Sequence, residues 1–164
     1  MPFTPFHFGP ALFFGLLFFR KIHFPAFLMA NIIVDMEPFL VLFSGLDYPL
    51  HGHLHSFSGG SIAAILLYLV MGRLDGNIRK FMAIFKLEQD LPLKSIWLTS
   101  FSGIYLHIIL DSFLYTDIKP FYPFVFNPFY AYFSMFQVYL FCILLFISGI
   151  GLYVDKYTRE GTSS

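Results

Sequence analysis

Apolar residues come in long continuous runs along this chain, separated by short polar stretches, so the pattern predicts helices and argues against the alternating strands of a β-barrel. Thr4-Pro5 reads as an N-cap followed by proline at the first helical position, opening a helix that runs to about Phe19. That run is short for a membrane span and Pro10 should bend it, which predicts a tilted or partly inserted first span. A second span covers Phe24 to Leu46. It carries Asn31, Asp35 and Glu37, and Pro38 predicts a break there, because proline lacks a donor and disfavours helix at the residue before it. Broken helices survive at membrane depth only when buried in protein or lining a wet cavity.

Phe57 to Gly72 reads as a third span, whose Ser58-Gly59-Gly60-Ser61 start lets another helix approach closely. Arg73 to Lys94 reads as the one long polar connection. Within it Ile78, Phe81, Met82 and Phe85 recur at helical spacing beside Arg79, Lys80 and Lys86, as in a helix lying on a membrane surface or an ordinary linker helix. Ile96 to Tyr115 and Ala131 to Val154 are spans four and five. Between them, residues 116–130 are punctuated by Pro120, Pro123 and Pro128 and rich in Phe and Tyr, unsuited to a helix and suited to the membrane interface. No internal repeat is visible. The expected architecture is an all-α integral membrane bundle of four to five spans, one broken near Pro38. Residues 1–154 form its single domain and 155–164 a frayed cytoplasmic tail.

Composition agrees. Hydrophobic residues make up 57% of 164 and charged ones 12%, about half the roughly 25% that covers a soluble surface. Net charge is zero, and nothing points to nucleic acid. The single cysteine, Cys142, excludes an internal disulfide and reads as a packing residue. No Lys or Arg precedes Arg20, so the first apolar run is expected to be retained rather than cleaved as a signal peptide. With five spans, Arg20, Lys21, Arg73, Arg79, Lys80, Lys86, Lys94, Lys156 and Arg159 share one side and Lys119 stands alone on the other. By the positive-inside rule this predicts a multi-pass protein of the inner cell membrane with its amino terminus outside and carboxyl terminus cytoplasmic. The assignment depends on the first span crossing. Nothing in the sequence sets the oligomeric state.

The candidate chemistry centres on Tyr48 to Gly60, where His51, His53 and His55 stand on alternate residues. His107 and Asp111 share one face of span four, continued by Ser100 and Gly103. With His7 and Asp35 they can meet near the outer face. An uncompensated Asp at a helix centre costs about 2.5–3.5 kcal/mol, and no Lys or Arg lies within the spans to offset Asp35 and Asp111. A divalent metal held by carboxylates and neutral imidazoles supplies that charge. Plainer readings stand beside this one. His107 and Asp111 could be a hydrogen-bonded pair, Asp35 a protonated carboxyl bonded to Asn31, and His51, His53 and His23 solvated loop residues. Glu37 could be a general base, a supporting group or a kink residue.

The ordered pattern His7, Asp35-Met36-Glu37, His51-Gly52 to His55-Ser56, and His107-x-x-x-Asp111 before an aromatic-proline segment resembles the YdjM-like family of membrane-bound metal-dependent hydrolases over roughly the first 125 residues. The histidine motif here, HGHLHS, is one residue tighter than that family's HRG-x-x-HS and lacks its arginine. More distantly, the order of ligands is similar to zinc-dependent phospholipase C and the single-strand nucleases of the same fold. That likeness implies one metal on Asp35, His55, His107 and Asp111, and part of a second on Asp111 with His7. This chain lacks the amino-terminal tryptophan and the second histidine-acid pair of that fold, so no full trinuclear cluster is expected.

The functional expectation is a metal-dependent hydrolase using zinc, with Glu37 as candidate base, acting on a phosphoester of a lipid-like substrate drawn from the membrane. The competing expectation is a non-catalytic metal-binding module or a small ion- or proton-coupled transporter.

Overall fold

The computed structural model describes residues 5–45 and 47–161, which are helical with connecting turns and contain no strand. The expected capping residue Thr4 lies outside the described residues. A 3-10 turn at Pro5–His7 leads into α1, Phe8–Leu17. Then follow α2 (Phe24–Ile33), α3 (Met36–Ser44), α4 (Phe57–Ala83), α5 (Leu93–Ser112) and α6 (Met135–Gly161). Among the described residues, four segments are long and apolar enough to cross a membrane: Phe24–Ser44, Phe57–Ala83, Leu93–Ser112 and Met135–Arg159. The chain is thus an all-α bundle of the multi-pass membrane type.

The first helix is not a full span. Its ten residues rise only about 15 Å, half the hydrocarbon thickness. Pro10 does not bend it, because it sits in the first turn, where a backbone N–H is spare in any helix. The helix packs along α6 and against α2. His7 at its start meets Asp111 near the end of α5, whereas Phe19 and Ile22 beyond its end offer carbonyls to the Gln89 amide between α4 and α5. The Gln89 Oε1 also accepts the Phe24 N–H, so this one buried side chain satisfies three backbone groups at the α1–α2 turn.

The break in the second span falls at Val34–Asp35, one turn before Pro38. The proline ring conflicts with the carbonyl of the residue four positions back, here Val34. The chain answers with tighter bonds, Asp35 N–H to the Ile32 carbonyl and Glu37 N–H to the Val34 carbonyl, and α3 starts anew with Pro38 in its first turn. Gly45, in the left-handed region, ends it.

α4 continues unbroken for 27 residues, about 40 Å. The expected surface helix around Ile78–Phe85 is therefore the far end of this span, with Ile78 against the main core and Met82 against Leu16, Phe24 and Leu87. The polar connection shrinks to residues 84–92. α5 is the hub, packed on α2 and α4. Its close approach to α4 uses Gly60 in the small-residue stretch: a Cβ there would lie 2.6 Å from Ile108 Cδ1 and 2.9 Å from Ile104 Cγ2. The core between the three helices is Ala26, Ala30, Val34, Ala63, Ala64, Leu67, Ile96, Ile104 and Ile108.

The irregular segment expected over 116–130 is wider, 113–134, because α5 ends at Ser112 and α6 begins at Met135, and it is tied down. Asn127 Nδ2 donates to the Ser112 and Tyr115 carbonyls, closing the end of α5, and the Phe57 N–H reaches the Pro120 carbonyl. Of the tail expected to fray, residues 155–161 instead extend α6, and 162–164 lie outside the described residues. Asp155 pairs with Arg159 at 2.9 Å, and Lys156 Nζ sits 4.3 Å over the Phe19 ring. Arg20, Lys21, Arg73, Arg79, Lys80, Lys86, Lys94, Lys156 and Arg159 all belong to the bundle end that holds the α1–α2 and α4–α5 connections, while Lys119 belongs to the other.

Candidate metal centre

At the Lys119 end, the α2–α3 junction, α5 and a 3-10 turn contribute to a buried group. Asp35 sits at the break between α2 and α3, His107 and Asp111 lie one turn apart on the inner face of α5, and His55 closes a 3-10 turn at His53–His55. Ser56 fixes that turn to α4: its Oγ accepts the Gly59 N–H as N-cap and donates to the His53 carbonyl at 2.7 Å. One potential ligand atom from each of Asp35, His55, His107 and Asp111 lies within 4.8 Å of all the others, and all four residues are buried. His107 Nε2 is 3.3 Å from Asp111 Oδ2 and 3.5 Å from Asp35 Oδ1; His55 Nε2 is 3.7 Å from Asp111 Oδ2. Ligand atoms around a tetrahedral ion at about 2.0–2.1 Å stand roughly 3.3–3.4 Å apart, so small adjustments would admit a divalent ion.

The hydrogen bonds behind these atoms set the tautomers. His107 Nδ1 is 3.0 Å from the Asn31 carbonyl, which can only accept, so Nδ1 carries the proton and Nε2 presents a lone pair to the cluster. Likewise His55 Nδ1 donates to Glu37 Oε2 at 3.2 Å, leaving its Nε2 facing inward. Burial pushes the His55 pKa below its ordinary value, though the Glu37 hydrogen bond pulls the other way, and a neutral ring is the form a metal needs. His55 Nε2, His107 Nε2 and Asp35 Oδ1 are buried without hydrogen-bond partners. Buried polar atoms are nearly always paired. Three such orphans pointing at one another are what a cation would resolve, so the residues fit a metal.

The other candidates fall around this group. His7 Nε2 donates to Asp111 Oδ1 at 2.9 Å, and its ring stacks on His107 at 4.1 Å, so it stands behind Asp111 and orients it. Glu37 Oε2 accepts both the Leu54 N–H and the His55 Nδ1–H, a placement suited to holding a ligand. His51 is not a solvated loop residue. It is buried, its Nδ1 donates to the Asp117 carboxylate at 2.9 Å, and its ring meets those of His55 and Tyr115. His53 is exposed, as expected. His23 is also buried rather than solvated. It caps α2, its Nδ1 accepting the Ala26 N–H and its Nε2 donating to Asp75. Its position just before Phe24-Pro25, a helix start, was a sequence signal for that role. Asp117, 66 residues from His51, left no such signal. Asn31 bonds the Phe27 carbonyl of its own helix rather than Asp35.

On the side away from the polar pocket, the core between α2, α4 and α5 is apolar, with Ala30, Ala63, Ala64, Ile104 and Leu67. Ser100 bonds the Ile96 carbonyl of its own helix. On the near side, His51 and Gly52 separate the metal group from the polar pocket, of about 170 Å³, whose walls include Tyr48, Asp117, Lys119 and Tyr122. Gly52 is needed there: a Cβ would lie 2.5 Å from Glu37 Oε1 and closer still to the Tyr48 ring. No family model, curated protein or solved structure matches this chain.

Proposed function

We propose that this is a divalent-metal-dependent hydrolase of the inner cell membrane, with its metal end outside and its carboxyl terminus cytoplasmic, cleaving a phosphoester of a lipid-like substrate. The observation that carries the reading is the convergence of Asp35, His55, His107 and Asp111 in a buried group with no Lys or Arg. The resemblance of this ligand order to the YdjM-like hydrolases supports it. A bound ion, zinc by its mixed imidazole and carboxylate ligands, supplies charge that polarises a scissile bond and activates water. The protein's part is to hold the ligands from behind: Asn31 for His107, Glu37 for His55 and His7 for Asp111. In this account Glu37 orients His55, a different role from the base expected of it. Lys119, alone among the Lys and Arg residues at this end, suits an anionic phosphoester.

A second reading is favoured by one observation, the burial of all four ligands to 4% exposure or less. It describes a non-catalytic metal-binding module. The transporter reading is weaker: next to the metal group Asn31 and Ser100 each donate to a carbonyl of their own helix, and Ala30, Ala63, Ala64 and Ile104 are apolar. The test is hydrolysis of phosphodiester and carboxyl-ester lipid analogues by the purified protein in detergent. Phosphodiester turnover that disappears on chelation and returns with zinc is expected. A zinc-loaded protein that cleaves neither class would leave the non-catalytic module in its place.

A further inference from the structure

Beside the metal centre the surface carries two adjoining pockets of opposite character. The polar one presents a single cation, Lys119, a single carboxylate, Asp117, and the rings of Tyr48 and Tyr122. Tyr48 and Tyr122 flank His53: the Tyr48 hydroxyl is 3.4 Å from the His53 N–H, and the Tyr122 ring meets the His53 ring edge-on at 4.6 Å. Both tyrosines remain 40% or more exposed, so their faces are available. The second pocket, about 500 Å³, is apolar, lined by Phe57, Phe121, Phe124 and Phe126, and shares Tyr122 with the first. Phe124 and Phe126 are 67% and 59% exposed in a segment suited to the membrane interface.

We infer that the paired pockets bind a zwitterionic phospholipid, its phosphate on Lys119, its ammonium on Asp117 and the tyrosine faces, and the start of an acyl chain among Phe57, Phe121, Phe124 and Phe126. Charge complementarity selects this occupant. A purely anionic headgroup meets Asp117 and a purely cationic one meets Lys119, whereas a zwitterion satisfies both walls, and aromatic faces add cation–π attraction for an ammonium. Asp117 is held by the His51 Nδ1–H, so its carboxylate is fixed before the ligand arrives. The apolar pocket gives the attached chain a place out of water. This inference rests on the lipid-directed reading above and specifies the headgroup. His51 lines this pocket and its ring meets that of His55, so a headgroup seated there lies next to the metal group.

The experiment titrates dihexanoyl phosphatidylethanolamine, dihexanoyl phosphatidylglycerol and dihexanoylglycerol into the full chain in detergent, with the metal content of every variant measured in parallel. The phosphatidylethanolamine analogue should bind tightest. Lys119→Ala should weaken both phospholipids about tenfold or more, the loss of one charge-assisted contact. Asp117→Asn keeps an acceptor for His51 and should weaken the ethanolamine analogue while leaving the glycerol analogue unchanged or improved. Lys119 is exposed, so its replacement does not endanger the fold and decides the matter if Asp117→Asn does not fold. Binding of dihexanoylglycerol as tight as that of the phospholipids, or phospholipid affinities unmoved by Lys119→Ala, overturns the inference. Either result with metal intact leaves the hydrolase reading standing, whereas a metal-free protein that still ranks the lipids this way loses the hydrolase reading and keeps this one.

Discussion

At the scale of single residues, the groups behind the ligands separate a metal centre from a set of hydrogen-bonded pairs. Glu37 is the sharpest case, because it contacts His55 rather than reaching into the cluster. Glu37→Gln should weaken metal affinity about 10- to 100-fold, as loss of such outer partners usually does, read by competition with a chromophoric chelator. Unchanged affinity with abolished turnover would instead make Glu37 the base. Gly52→Ala should destabilise the protein by about 1–3 kcal/mol through overpacking against Glu37 and Tyr48. At the opposite end of the bundle, His23 makes a pH prediction. Burial lowers its pKa below 6.5, although Asp75 pulls upward, and its Nδ1 lone pair is already used by the Ala26 N–H. The unfolded chain then binds the proton more readily than the folded one, so His23 stabilises fully above pH 6.5 and loses that contribution as pH falls toward its depressed value. Thermal unfolding should occur at lower temperature at pH 5.5 than at pH 7.5. His23→Asn, which can still cap, should flatten the difference, and an undiminished slope in that variant would exclude His23 as its source.

At the scale of elements, the legible features were those fixed by local chemistry. Continuous apolar runs located the four long segments, and the i, i+4 spacing of His107 and Asp111 put both on the buried face of α5. Pro38 announced the break, but its position followed from what the ring does to Val34 one turn earlier, which is what places Asp35 at the junction. Features that depend on distant partners were not legible. The length of α4 was hidden because Arg73, Asp75 and Arg79 look like a connection, whereas the Asp75–Arg79 pair and the Asp75–His23 bond allow the helix to continue. The burial of His51 depends on Asp117 across the bundle end. The role of Pro38 can be tested directly. Pro38→Ala removes the conflict with the Val34 carbonyl, so α2 and α3 should fuse, Asp35 should turn away and metal occupancy should fall severalfold. Full occupancy in that variant would mean that packing, not proline, sets the break.

At the scale of the whole molecule, the nine-to-one division of Lys and Arg between the two bundle ends is compatible with the proposed orientation even though α1 is too short to cross. His7 begins α1 at the depth of the metal group, and α1 then runs to the cation-rich end. The ends of the four long segments are thus distributed as five spans would leave them. Reporter fusions at Gly52 and at the carboxyl terminus should give opposite signals, with residue 52 outside; matching signals would contradict the fold as well as the orientation. The central claim, however, is that Asp35, His55, His107 and Asp111 share one divalent ion. Without it the two buried carboxylates have only imidazoles as partners, so its removal should also cost stability. The most direct measurement is elemental analysis of the purified full chain in detergent. About one divalent ion per chain is expected in the parent and in His53→Ala, whose ring is exposed and outside the cluster. Severalfold less is expected in Asp111→Asn and His107→Ala. A parent that is folded, carries no metal and takes up none on addition of zinc would contradict it.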